Sequence, residues 1–131
     1  MEKEQLNELG RELIGAAIEG HRALGPGLLE SAYEMSLCHE LALRNIRFER
    51  QVPLPVFYKG MQLDCGYRLD LVLEGFIIVE LKSIDDFSAI HEAQIMSYLR
   101  LSEKPLGYLI NFNVLLLKNG IRRFANFPKT P

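Results

Sequence analysis

A chain of 131 residues, 48% apolar and 24% charged, is sized and composed for a single domain with a sizeable core. Fifteen basic and seventeen acidic residues leave a formal net charge of −2. This excludes a protein that coats polyanions by bulk charge and leaves only local basic rims around residues such as Arg50, Lys59, Arg68 and Arg100. No apolar run approaches the ~18–20 residues of a membrane span, the start Met-Glu-Lys-Glu-Gln is not that of a signal peptide, and Cys38 and Cys65 are too few for a disulfide framework or zinc knuckle; a cytoplasmic protein with no membrane partner is expected.

Leu6, Leu9, Leu13, Ala17 and Leu24 recur at helical spacing, which predicts an amphipathic helix over 4–24, broken by Gly25-Pro26-Gly27. A second helix over about 28–44 turns Leu29, Ala32, Tyr33, Leu37 and Leu41 inward, with Asn45 as its C-terminal cap. Strands follow at 48–58, 61–73 and 76–82, with a turn at Lys59-Gly60, and Pro53 and Pro55 confine the first to an edge or split it. Asp85, Asp86 or Ser88 caps a third helix that runs to about Ser102 and is stopped by Lys104-Pro105. The run Leu106 to Phe112 reads as a buried strand, and Asn119-Gly120 carries a strong hairpin signal between two short strands. The order ααβββαβββ, without repeats or linkers, describes one α/β (α+β) domain with a mixed sheet flanked by helices.

Charge inside the central strands is the informative feature. Leu69, Leu71, Leu73, Ile77, Val79 and Leu81 form one apolar face at period two, while the other mixes Val72 and Ile78 with Arg68, Asp70, Glu80 and Lys82. Buried ions need partners or a metal. Asp70 and Glu80 stand ten apart, so a two-residue turn at Glu74-Gly75 would put them on opposite faces. An odd-length loop or a bulge at Gly75 restores a shared face, and that is the expectation. On the third helix Gln94 and Tyr98 are four apart and share a face, with His91 one turn earlier; Glu30 and Tyr33 open the second helix, and His21 lies near the end of the first.

Asp70, nine intervening residues, then Glu80-Leu81-Lys82 resembles the active-site motif of the PD-(D/E)XK nuclease superfamily. Gln94-x-x-x-Tyr98 resembles the added motif of its exonuclease branch, and Gly27-x-x-Glu30-x-x-Tyr33 is similar to the signature of the prokaryotic GxxExxY family within it. The motif's leading Pro is absent, since Leu69 precedes Asp70. The resemblance implies a restriction-endonuclease-like αβββαβ core over 28–113, with an extra N-terminal helix (1–25) and a C-terminal hairpin (114–126). It implies that Asp70, Glu80 and the backbone carbonyl of Leu81 bind a divalent metal, with Glu30 completing the shell or holding one of its waters. Lys82 would position and help deprotonate the attacking water, and Gln94 and Tyr98 would orient these groups or a substrate phosphate.

Charge counting agrees independently. Glu30, Asp70 and Glu80 against Lys82 leave about −2 in a partly dry pocket, which one Mg²⁺ (or Mn²⁺) neutralises, and an all-oxygen set suits those ions rather than zinc. The expected function is metal-dependent phosphodiester hydrolysis in a nucleic acid, DNA before RNA, by a single chain, a homo-oligomer or a larger complex. The alternative is an accessory nucleic-acid- or protein-binding module that keeps the nuclease fold without catalysis. Tyr33 reads as core packing more than chemistry, and His21 and His91 as second-layer groups or surface.

Overall fold

The computed structural model describes residues 1–128. Helix α1 (Lys3–Leu24) starts where the Glu2 N–H donates to Gln5 Oε1 at 2.9 Å, and it buries Leu6, Leu13, Ala16, Ala17 and His21. Leu24, expected inward, is exposed because α1 ends there and Gly25 turns away at φ 73°. Helix α2 (Glu30–Leu43) buries Tyr33, Glu34, Leu37, Cys38 and Leu41. It closes as expected at Asn45, which takes φ 60° while its N–H reaches Ala42 O and that of Ile46 reaches Leu41 O. Leu29 corrects the inward set: it precedes the first turn of α2 and is 78% exposed.

The strands are β1 (Phe48–Pro53), β2 (Val56–Tyr58), β3 (Met61–Leu63), β4 (Arg68–Leu73), β5 (Ile77–Lys82), β6 (Leu106–Asn111) and β7 (Ile121–Ala125), with α3 (Ala89–Ser102) between β5 and β6. Five of them form a mixed sheet in the order β1-β4-β5-β6-β7, in which only β5 and β6 run parallel, joined by the α3 crossover. Pro53 and Pro55 both split the first expected strand and hold β1 at the edge. The expected 61–73 strand also divides, at Asp64-Cys65-Gly66-Tyr67, where Gly66 has φ 69°. Strands β2 and β3 form a separate two-stranded ribbon.

Two apolar clusters lie on the two faces of the sheet. Helices α1 and α2 cover Leu71, Leu73, Ile77, Val79, Leu81, Tyr108 and Ile110, while Tyr98 and Leu99 of α3 cover Leu69, Val72 and Ile78. All six residues of β6 are buried, as its unbroken apolar run requires. The C-terminal hairpin at Asn119-Gly120 does not form. Leu117–Gly120 is a 3-10 turn, and β7 pairs back onto β6. A Cβ on Gly120 would lie 2.1 Å from the Asn111 carbonyl oxygen, so this glycine serves a close backbone approach rather than a two-residue turn. Among the described residues no helix is long and apolar enough to cross a membrane.

Candidate functional site

Strands β4 and β5 pair through Leu71–Val79, Val72–Ile78 and Leu73–Ile77 around the three-residue loop Glu74-Gly75-Phe76. The loop is odd-numbered, as the shared-face argument demands, with Glu74 at φ 51° and Gly75 at φ 77°. Continued one step, this register sets Asp70 opposite Glu80. The ladder stops short of them, and the two carboxylates take over its hydrogen bonds. The Asp70 N–H donates to Glu80 Oε2 at 2.8 Å, and the Leu81 N–H donates to Asp70 Oδ2 at 2.9 Å. Each acid therefore clasps the backbone of the opposite strand.

The other side of β4 is irregular at the same level. Pairing with β1 runs through Arg50–Leu71 and resumes at Val52–Leu69, passing over Gln51, which has φ 50°. This break corrects the expected face of Leu69: it packs with Val72 and Ile78 on the α3 side rather than with Leu71 and Leu73. The period-two rule fails where a side chain replaces a ladder bond.

Glu80 is 6% exposed, and burial, reinforced by the Asp70 charge, pushes its carboxyl up to about 8 against the weaker opposing pull of the Asp70 N–H and Lys82. Burial also raises Asp70, aided by the charges of Glu34 and Glu30 and opposed by the Leu81 N–H and Lys82. The Tyr98 hydroxyl is raised by burial and then by Glu80. Two carboxylates this close cannot both ionise cheaply without a cation. Oδ1 of Asp70 and Oε1 of Glu80 have no protein donor among the described residues, and no buried side-chain oxygen or nitrogen there lacks a partner, so both face water. Two water-facing carboxylate oxygens fit Mg²⁺ or Mn²⁺, which keep several waters and need only one or two protein carboxylates.

The remaining expected residues divide into two groups. Lys82 is half-buried, forms no ion pair among the described residues, and still lowers both acids. Tyr98 is buried beside the pair, and Gln94 lies half-buried one turn before it. Glu30 is exposed; its charge reaches both acids, but no cluster of three or more His, Cys, Asp or Glu suited to a metal exists among the described residues. Tyr33 stacks on Phe112 at 4.5 Å, and its hydroxyl donates to Gly25 O and accepts from the Leu28 N–H, so it fastens the loop entering α2. His21 Nε2 donates to the carbonyls of Val114 (2.8 Å) and Phe112 (3.2 Å), and His91 Nδ1 accepts from the Ser88 N–H at the start of α3. These three residues hold loops and helix ends; none of their hydrogen bonds reaches the acids.

Sequence reasoning missed Glu34, Asn111 and Tyr67. Glu34 is buried on α2, one turn after Glu30, where it accepts from Arg50 Nε and Nη2 and from Gln51 Nε2. It thereby fixes the irregular stretch of β1 beside Asp70. Asn111 lies opposite Lys82 in the parallel register, and its amide pins Ile84 through both N–H and carbonyl, holding the chain as it leaves β5. A polar residue interrupting the apolar run 106–112 just before Phe112 was its only sequence signal. Tyr67 meets Tyr98 edge-on at 6.0 Å.

The family model of the PD-(D/E)XK nuclease superfamily matches residues 7–124. No curated protein and no solved structure gives a significant match. The match takes in both central strands, all but the first turn of α1, and the other two helices, and the mixed five-stranded sheet flanked by helices has the restriction-endonuclease-like arrangement. This chain belongs to the PD-(D/E)XK nuclease superfamily.

Proposed function

We propose that the protein is a divalent-metal-dependent nuclease of the GxxExxY branch, which hydrolyses phosphodiester bonds, with DNA as the first substrate and RNA as the second. The reciprocal Asp70–Glu80 clasp carries this reading, because it forces two acids together at a cost that a bound cation relieves. Asp70, Glu80 and the Leu81 carbonyl would hold Mg²⁺ or Mn²⁺, and Glu30 would complete the shell directly or through water. Such an ion, when bound, lowers the pKa of water and stabilises charge on the phosphate. Lys82, on the same strand two residues from Glu80, would position the attacking water and help its deprotonation, the proton leaving to solvent water. Tyr98 and Gln94 present hydrogen-bond donors to the acids or to a phosphate oxygen.

The second reading is a non-catalytic accessory subunit in a homo-oligomer or larger complex. The net charge of −2 favours it, as does the lack of a preformed three-carboxylate cluster among the described residues. Cleavage assays separate the two. Purified protein is incubated with single- and double-stranded DNA and RNA in Mg²⁺, Mn²⁺ or EDTA. The nuclease cuts only with metal, and Glu80→Ala and Lys82→Ala each lower the rate by at least a hundredfold. Equal rates for wild type and Lys82→Ala reveal a contaminant. Cation binding without cleavage of any polymer establishes the accessory role.

A further inference from the structure

We propose that the β2–β3 hairpin, together with Tyr67, is a stacking platform for unpaired nucleobases, so that the substrate class is a single strand or a frayed end rather than intact duplex. This rests on the nuclease reading and names what its site receives. The hairpin turns at Lys59-Gly60, both left-handed at φ 48° and 82°, which suits the two-residue turn that twists with its strands. Its register sets Tyr58 beside Met61 on one face and Phe57 beside Gln62 on the other. It stands apart from the main sheet, yet Phe57, Tyr58 and Met61 are 61%, 60% and 67% exposed. A short ribbon that turns its largest apolar groups to water on both faces contributes little to the core.

Its position gives those rings a use. The hairpin is inserted between Pro53 and Arg68, which are paired across β1 and β4, and Arg68 lies two residues before Asp70. Tyr67 continues the aromatic series inward: it is 44% exposed and meets the buried Tyr98 of α3 edge-on, with ring centroids 6.0 Å apart. A groove of about 300 Å³, lined by residues including Pro53, Leu54, Leu63, Tyr67 and Arg68, runs along the hairpin base. Lys59 Nζ lies 5.3 Å over the Tyr58 ring, and Lys59 and Arg68 outnumber Asp64 as the charges of this segment. Flat rings interleaved with a few cations match a strand whose base faces are free. A duplex hides those faces and offers mainly phosphates, whose capture needs more Lys and Arg than stand here.

The test measures binding by fluorescence anisotropy in the Glu80→Gln background without divalent metal, using end-labelled single-stranded DNA, single-stranded RNA, blunt duplex and a fully abasic strand of equal length. The single strands are expected to bind at least tenfold tighter than the duplex and the abasic strand. Phe57→Ala/Tyr58→Ala is expected to lose at least tenfold on the single strands alone, the scale of removing one or two stacked rings, while Tyr58→Trp keeps the affinity. Circular dichroism and Tm are expected to stay at parental values. Undiminished single-strand binding by the double variant, abasic binding equal to that of the base-bearing strand, or a changed oligomeric state by light scattering overturns the proposal; the last marks the hairpin as a protein interface. Single-strand binding without cleavage by wild type leaves the platform standing and removes the nuclease, whereas metal-dependent cleavage unaffected by Phe57→Ala/Tyr58→Ala does the reverse.

Discussion

Glu80 gives the site an unusual pH signature. Most native carboxylates are lowered by their partners, and their stabilising effect is lost in acid. Glu80 is raised, from 4.5 to about 8, by burial and the neighbouring Asp70. Between those values the folded protein binds more protons than the unfolded chain, so stability must fall as pH rises through that window. A tenfold change in proton affinity corresponds to about 1.4 kcal/mol, which places the effect on the order of a few kcal/mol. Thermal melts in EDTA should therefore show Tm declining from pH 5 to pH 8.5. Glu80→Gln, which needs no ionisation, should flatten the profile and melt higher than wild type at pH 8.5. Mg²⁺ should raise Tm of the wild type more at pH 8.5 than at pH 5, because only ionised acids bind it. A wild-type Tm independent of pH in EDTA would show that the pair is not strained. Asp70, Glu80 and Lys82 were legible because charge interrupts an apolar run, which local sequence displays. Glu34 was not, because burial on α2 depends on Arg50 and Gln51 arriving from another element.

At the scale of elements, periodicity and caps located all three helices, and parity alone required the odd loop at Glu74-Gly75-Phe76. The failures occurred where a long-range contact overrides a local signal. Leu69 changes face because Asp70 and Glu80 replace the ladder, and no window on a single strand contains that information. Asn119-Gly120 has the composition of a hairpin turn, but Gly120 lies against the Asn111 backbone and β7 takes the free edge of β6. Gly120→Ala tests this. Its Cβ would meet a carbonyl oxygen at 2.1 Å, which must move rather than rotate away. A loss of about 1–3 kcal/mol is expected in urea unfolding. Activity should fall further than stability, since Asn111 also fastens Ile84 just beyond Lys82. A neutral Gly120→Ala would mean that the Asn111 backbone gives way without cost, since Gly120 is not in the left-handed region and its turn alone does not require glycine.

For the whole molecule, the question is whether α1 is an appendage or part of the domain. By resemblance it stands outside the αβββαβ core, as residues 1–25, and nothing in its own pattern contradicts that. The packing gives another answer. Leu6, Leu13, Ala16 and Ala17 share one cluster with Tyr33, Leu37 and Leu41 of α2 and with Leu71, Leu73, Ile77 and Val79 of the sheet. Arg44 at the end of α2 bonds back to Glu12, and His21 caps the carbonyls of Phe112 and Val114 after β6. Removing α1 would uncover the inner faces of β4, β5 and β6 together, a burden that a chain of this size cannot bear. A chain starting at Pro26 is therefore expected to lose its cooperative melt and its near-ultraviolet dichroism, and Leu13→Ala in the full chain to cost about 2–5 kcal/mol. A truncated chain with a single sharp transition would restore α1 to the status of an appendage. The site depends on the same packing. Tyr33 bridges Gly25 O and Leu28 N–H, so the end of α1 sets where α2 begins and hence where Glu30 stands relative to Asp70 and Glu80. Tyr33→Phe keeps the stacked ring and removes only that bridge. It should leave Tm within a few degrees of wild type while weakening Mg²⁺ binding in calorimetry, which separates the placement of Glu30 from the integrity of the core.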